Sequence, residues 1–347
     1  MRCDDWLAVV GPSLIEPLFQ PAAVARVRSL ASNLPGDCAG VLEIRLARGP
    51  GAVDLSLRLT DPSQAEPLAE WISPSHLRRF FRLWPEPGEA FQSLCGVWLE
   101  FDLGDEAPGV PIPIVCAKLL PETRADWILD CLLPALHGQP LESCQRSSVA
   151  RCLDAIPASA NLLYVFSLLS RGSGDTVRLE ISGLDSEGIL GYLQTVAPQT
   201  IAWVGEGTAL FAGVERLHLS LDIGCDSGHE ILPRIGIEGS FSRLPRRQPG
   251  WRELFDRLVD HGLCAAEKRD AALAWPGYDS FWTAPERWPA APQAVAEVCV
   301  RSLSHVKIVC RPGREPEAKV YLMFGPLASS GSAGAAISSA SRSASLT

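Results

Sequence analysis

Six basic residues, Arg45, Arg58, Lys118, Arg178, Lys307 and Lys319, are the first candidates for chemistry in this sequence. Each lies in a short stretch where polar and aliphatic residues alternate, so each projects from the polar side of its own stretch. Cations that converge on one volume can hold a polyanion such as a diphosphate through charge-assisted hydrogen bonds. Glu43 and Glu100 share that parity and are candidates to take a proton. Trp98 and Tyr321 share it too, and their rings can shield a carbocation. With Asp54, Asp102, Glu180, Asp222 and Glu238, the carboxylates on this parity are at least as many as the basic groups, so a structural salt network satisfies the same pattern.

The elements that must position these groups come as paired strands. Val41–Arg48 with Val53–Leu59, Val97–Leu103 with Ile112–Leu119, and Leu162–Ser170 with Thr176–Ile181 are each joined by a Gly-, Pro- or Asp-rich turn. Leu217–Ile223 with Arg234–Gly239 and His305–Cys310 with Ala318–Phe324 complete five hairpins. Helical periodicity precedes each pair, within 5–33, 63–84, 123–136 with 145–155, 186–197, and Trp251–Ala274 followed by 291–303. Facing is ambiguous for Leu162–Ser170, which is almost wholly apolar, while Lys118 shares its parity with Ile114 and Cys116.

An α+β fold of about five helix-plus-hairpin repeats follows, as an open sheet or as a closed ten-stranded barrel with helices outside. Closure is favoured, because ten antiparallel strands tend to curl and closing them removes both edges. A barrel domain is expected over 1–326 and a flexible Ser/Ala/Gly-rich tail over 327–347.

That topology, with Ala318-Lys319-Val320-Tyr321, Ser304-His305-Val306-Lys307, and Trp98-Leu99-Glu100-Phe101-Asp102-Leu103 leading to Ala117-Lys118-Leu119, resembles the aromatic prenyltransferase (ABBA, or PT-barrel) family. The resemblance implies transfer of an isoprenoid from its diphosphate to an aromatic or peptide acceptor inside the barrel, as in secondary metabolism. The diphosphate is then the co-substrate, which Mg2+ can accompany. It casts Arg45, Arg58, Lys118, Arg178, Lys307 and Lys319 as diphosphate ligands, Trp98 and Tyr321 as the cation shield, and Glu43 or Glu100 as the base. The chain departs from the family in having four tyrosines, with none two residues beyond Lys118 or Arg178. A non-catalytic barrel that binds a small molecule or peptide is the alternative reading.

Composition narrows the remaining classes. A net charge of −9 argues against nucleic acid as a partner. No apolar run reaches the roughly 20 residues of a membrane span, and the acidic start lacks a secretory pattern, so a cytoplasmic protein is expected. The 11 cysteines include no CxxC pair and are expected as free, mostly buried thiols, with no metal site among them. Asp226, His229 and Glu230 are read as turn residues rather than metal ligands, and Arg243, Arg246 and Arg247 as a solvated linker.

Overall fold

A computed structural model describes residues 2–36, 38–49, 51–84, 91, 93–104, 112–171, 176–224, 231–241, 249–288 and 297–327. Its strands are β1 (Ala39–Arg45), β2 (Val53–Leu59), β3 (Leu94–Phe101), β4 (Ile114–Leu119), β5 (Asn161–Ser167) and β6 (Val177–Leu184), followed by β7 (Arg216–Ile223), β8 (Ile231–Ser240), β9 (Gly277–Ser280), β10 (Val298–Arg311) and β11 (Arg314–Pro326). Every strand but β9 pairs antiparallel with its neighbour around a ring, and β11 closes it by pairing with both β10 and β1. β9 lies outside the ring, against the first residues of β10.

Alternation explains why these segments pair in this register. Leu55, Leu57 and Leu59 of β2 stand opposite Phe101, Leu99 and Val97 of β3, and all six are buried on the outer face. The same stripe continues through Leu179 and Ile181 of β6, Leu219 and Leu221 of β7, and Ile235 and Ile237 of β8. Each such side chain removed from water is worth about 1.5–3 kcal/mol. Helices cover this stripe, including Pro21–Ala31, Ser75–Leu83, Ser186–Val196 and Pro249–Asp260. Their ends are encoded locally. Asp185 accepts the Gly188 amide at 2.7 Å to cap Ser186–Val196, and beyond Asp260 the chain turns at Gly262, whose φ of 72° suits glycine.

Two expectations need correction. The helix expected at 291–303 is not one in its described part, because Val298–Leu303 is the start of the long strand β10. Those residues pair with β11 and β9, and the strand ladder outweighs a weak helical spacing of Val and Leu. Among the described residues nine cysteines form no disulfide, but Cys144 is disulfide-bonded. Of the expected tail only Leu327 is described, and its amide is tied to the Val298 carbonyl at 2.9 Å. Residues 328–347, the 226–230 turn and the arginines at 243–247 lie outside the described residues. Among the described residues no helix is long and apolar enough to cross a membrane.

Candidate active site in the barrel lumen

The polar faces of the ten strands line the lumen, which is stratified along its axis. At the end where the five hairpins turn, the charges are matched. Arg178 makes a bidentate pair with Asp222 at 2.6 and 3.0 Å, and Arg234 reaches the same carboxylate at 2.9 Å. Arg171 grips Asp102 through two bonds of 2.7 and 2.6 Å. Arg45 lies between Asp54 and Glu317, 3.2 Å from each. Four guanidinium groups thus meet four carboxylates at this end.

Midway along the barrel the pairing changes. Lys319 and Tyr321 both donate to Glu43, each at 2.5 Å. Lys307 donates to Glu238 at 2.6 Å and lies 3.3 Å from the Ser220 hydroxyl. Glycine at 236 makes this crossing feasible, since a Cβ there would fall 2.6 Å from the Lys307 Cε. His218 Nδ1 lies 2.9 Å from Glu180, and His305 Nε2 lies 3.4 Å from the other oxygen of Glu238. The His305 ring also stacks on Tyr321 at 3.9 Å. Lys307 and Lys319 stand directly opposite each other in register, yet their ammonium groups turn to different carboxylates.

Electrostatics follow from these contacts. Burial alone would raise the Glu43 carboxyl, but Lys319 and Tyr321 outweigh it and hold it well below the usual carboxylate range. Burial also works on Glu238, where Lys307 and the two histidines bring it down to about 2. Glu100 has no hydrogen bond or ion pair among the described residues. Burial pushes its pKa up to about 7, with Arg171 and Arg178 only partly offsetting. Glu180 is raised by burial and by Glu238. Burial and the neighbouring Lys307 bring His305 down to about 4, so this imidazole is neutral near pH 7.

Toward the opposite end, where strands meet helices, the lumen opens into a cavity of about 950 Å3. Trp98, Cys116, Tyr164 and Phe166 give it an apolar side. Toward the hairpin end these side chains join the fully buried Ile114 of β4 and Leu168, just beyond β5, in a cluster separate from the main core. This settles the facing of the fifth strand, with Tyr164 and Phe166 inward and Val165 in the outer core. Arg58 and Lys118 follow Ser56 and Cys116 on the inward parity, at the rim, and are half-buried. Arg58 sits over the Trp98 ring at 5.9 Å, and neither cation has a carboxylate partner among the described residues.

The six expected cations are therefore not one cluster. Arg45 and Arg178 belong to the matched end, Lys307 and Lys319 to the middle, and Arg58 and Lys118 to the rim. Glu180, His218, Glu238 and His305 form a group that sequence reasoning did not assemble. The inward parity of the first three was the available signal.

No protein-family model matches this chain, and no curated protein does. Solved structures do. The apo prenyltransferase PriB superposes with a TM-score of 0.54 at 13% identity, over 92% of this chain and 94% of that one. The fold is that of the aromatic prenyltransferase barrel. A 5-dimethylallyltryptophan synthase from Streptomyces coelicolor gives a TM-score of 0.53 at 13% identity, covering 92% and 95%. A 6-dimethylallyltryptophan synthase from Micromonospora olivasterospora, in complex with DMASPP and Trp, gives 0.51 at 14%, again over 92% and 95%. In this barrel the outer, aliphatic stripe supplies the scaffold.

Proposed function

We propose that this chain is a prenyltransferase-like transferase that joins an isoprenoid, delivered as its diphosphate, to an aromatic or peptide acceptor inside the lumen. The observation that carries this reading is the apolar wall of Trp98, Cys116, Tyr164 and Phe166 along the cavity, backed by Ile114 and Leu168, inside a barrel whose opposite wall is charged. Apolar side chains on an inner face have no helix to pack against, and an isoprenoid chain gains about 0.8 kcal/mol for each CH2 it buries there. The complexes of the structural neighbours with DMASPP and Trp support the same use of the fold.

In this reading Arg58 and Lys118 hold the diphosphate at the rim, since their charges are not spent on carboxylates. The C–O bond to diphosphate breaks, and Trp98 and Tyr164 offer π-faces to the allylic cation. The acceptor's ring carbon or heteroatom forms the new bond. Its displaced proton passes to Glu100, whose pKa of about 7 suits a base near neutral pH. Glu43 is the weaker choice of base, because Lys319 and Tyr321 already occupy both its oxygens. Arg45, Arg178, Lys307 and Lys319 then shape the lumen without touching the diphosphate, and Tyr321 orients Glu43 and His305.

The test is incubation with dimethylallyl or geranyl diphosphate, Mg2+, and tryptophan or tryptophan-containing peptides. Product is read by mass spectrometry and released diphosphate by a coupled assay. Glu100→Gln should lower turnover by roughly 10²–10⁴-fold, the usual scale for a general base, while a thiolodiphosphate analogue still binds. Absence of analogue binding by the parent protein, together with no diphosphate release, would reject the reading and leave a non-catalytic binding barrel.

A further inference from the structure

The middle of the lumen holds more carboxyl groups than ammonium groups, and two histidines sit among them. Glu43, Glu100, Glu180 and Glu238 face two ammonium groups, Lys307 and Lys319, whereas the hairpin end is balanced. Lys319 is spent on Glu43 and Lys307 on one oxygen of Glu238. The other oxygen of Glu238, the Glu180 carboxylate and the His218 ring remain next to one another, on three consecutive strands.

Their donor atoms all lie within 4.8 Å of each other. Donors bound at about 2.0–2.2 Å in a tetrahedral set lie about 3.3–3.6 Å apart. The widest of the present gaps must therefore close by up to about 1.5 Å, within reach of side-chain rotation. The placement is rigid: Ser182 and Glu238 flank His218 in register on either side, and Glu180 lies opposite Ser220. His305 Nε2, 3.4 Å from Glu238, is the next nitrogen in line, with its ring fixed by the stack on Tyr321 and its Nδ1 3.1 Å from the Ser304 hydroxyl. All four residues line the open cavity, so an ion and its waters can enter.

We propose that Glu180, His218 and Glu238 form a binding site for a first-row divalent transition-metal ion in the lumen, with His305 in reach as a fourth ligand. Mixed carboxylate and imidazole donors suit Zn2+, Fe2+, Mn2+ or Co2+, and a three- or four-residue set leaves positions open toward the cavity. The site is made of protein side chains alone, so it stands whether or not the transferase reading holds.

The test uses the chelator-treated full chain without any substrate. Titration with Zn2+ should show one equivalent bound with a micromolar or tighter Kd, and Co2+ should give visible d–d absorption without a strong thiolate charge-transfer band. Glu180→Gln and His218→Asn should each weaken Zn2+ by at least roughly 10-fold, the low end seen on disturbing a metal site. Circular dichroism checks that both fold, and the Co2+ spectrum decides the question if either does not. No stoichiometric binding, a thiolate band from a cysteine site, or unchanged affinity in both folded variants would overturn the proposal and leave an ion-pair network only.

Discussion

The two sides of the lumen are built from opposite materials. From β6 round to β1 the wall is ionic, and almost every charge meets a named partner at 2.5–3.4 Å. Across β3 to β5 it is aromatic and aliphatic, and its only carboxylate in the middle layer, Glu100, has no partner among the described residues. On the proposed reading the paired charges of one wall hold the barrel's shape, and the unpaired groups beside the apolar surface do the transfer chemistry.

Experiments can break or sharpen this division. The largest effect should come from Arg178→Met, which leaves Asp222 buried with Arg234 alone. Breaking a buried pair costs about 3–5 kcal/mol, read as a lower melting temperature and urea midpoint. Replacing both Arg178 and Asp222 by apolar residues should recover much of that loss. If Arg178→Met is neutral, the ionic wall is not structural.

Acid and base should separate the walls next. Glu238 titrates at about 2 when folded, below its ordinary 4.5, so its contribution is present above 4.5 and is lost as pH falls toward 2. Glu100 has the opposite sign. Its folded value of about 7 lies above 4.5, so the folded state is favoured below 4.5 and loses that advantage as pH rises through 7. Stability should therefore peak in mildly acidic buffer. Glu100→Gln should raise stability at pH 8 by up to about 3 kcal/mol, at about 1.4 kcal/mol per pH unit of displacement. A melting temperature for Glu100→Gln that parallels the parent at every pH would contradict the isolated carboxylate.

A smaller effect is expected at Trp98→Ala. It should change the melting temperature little, since Trp98 is half-buried in the cavity wall. It should weaken a prenyl thiolodiphosphate by roughly 5- to 30-fold, equivalent to about 1–2 kcal/mol for a lost cation–π face. The smallest is Arg45→Gln. Its pairs with Asp54 and Glu317 are partly solvated and should be worth about 1 kcal/mol or less.

The barrel itself was legible in the sequence, because period-2 alternation survives in nearly every strand and Gly- or Pro-rich turns separate the members of each pair. Val53–Leu59 was read to the residue, and others to within a few. The start of β10 was misread since Val298, Val300 and Leu303 alternate poorly, and its partners are β9 and the far end of β11. The site was half legible. Parity told which side chains turn inward, but not which charges cancel. Lys319 meets Glu43 across 276 residues and Lys307 meets Glu238 across 69, contacts that exist only once the ring has closed. Nothing local distinguishes the spent lysines at 307 and 319 from the unspent Arg58 and Lys118.

The crowding of ion pairs at the hairpin end has a kinetic consequence if it bars passage there. Molecules would then come and go through the helix end, and a passage with one door imposes a queue. If the acceptor rests at the depth of Glu100 and the diphosphate at the rim with Arg58 and Lys118, the acceptor must board first. The diphosphate must leave before the alkylated product can. Initial-rate kinetics should then show ordered addition, and inorganic diphosphate should trap the product inside.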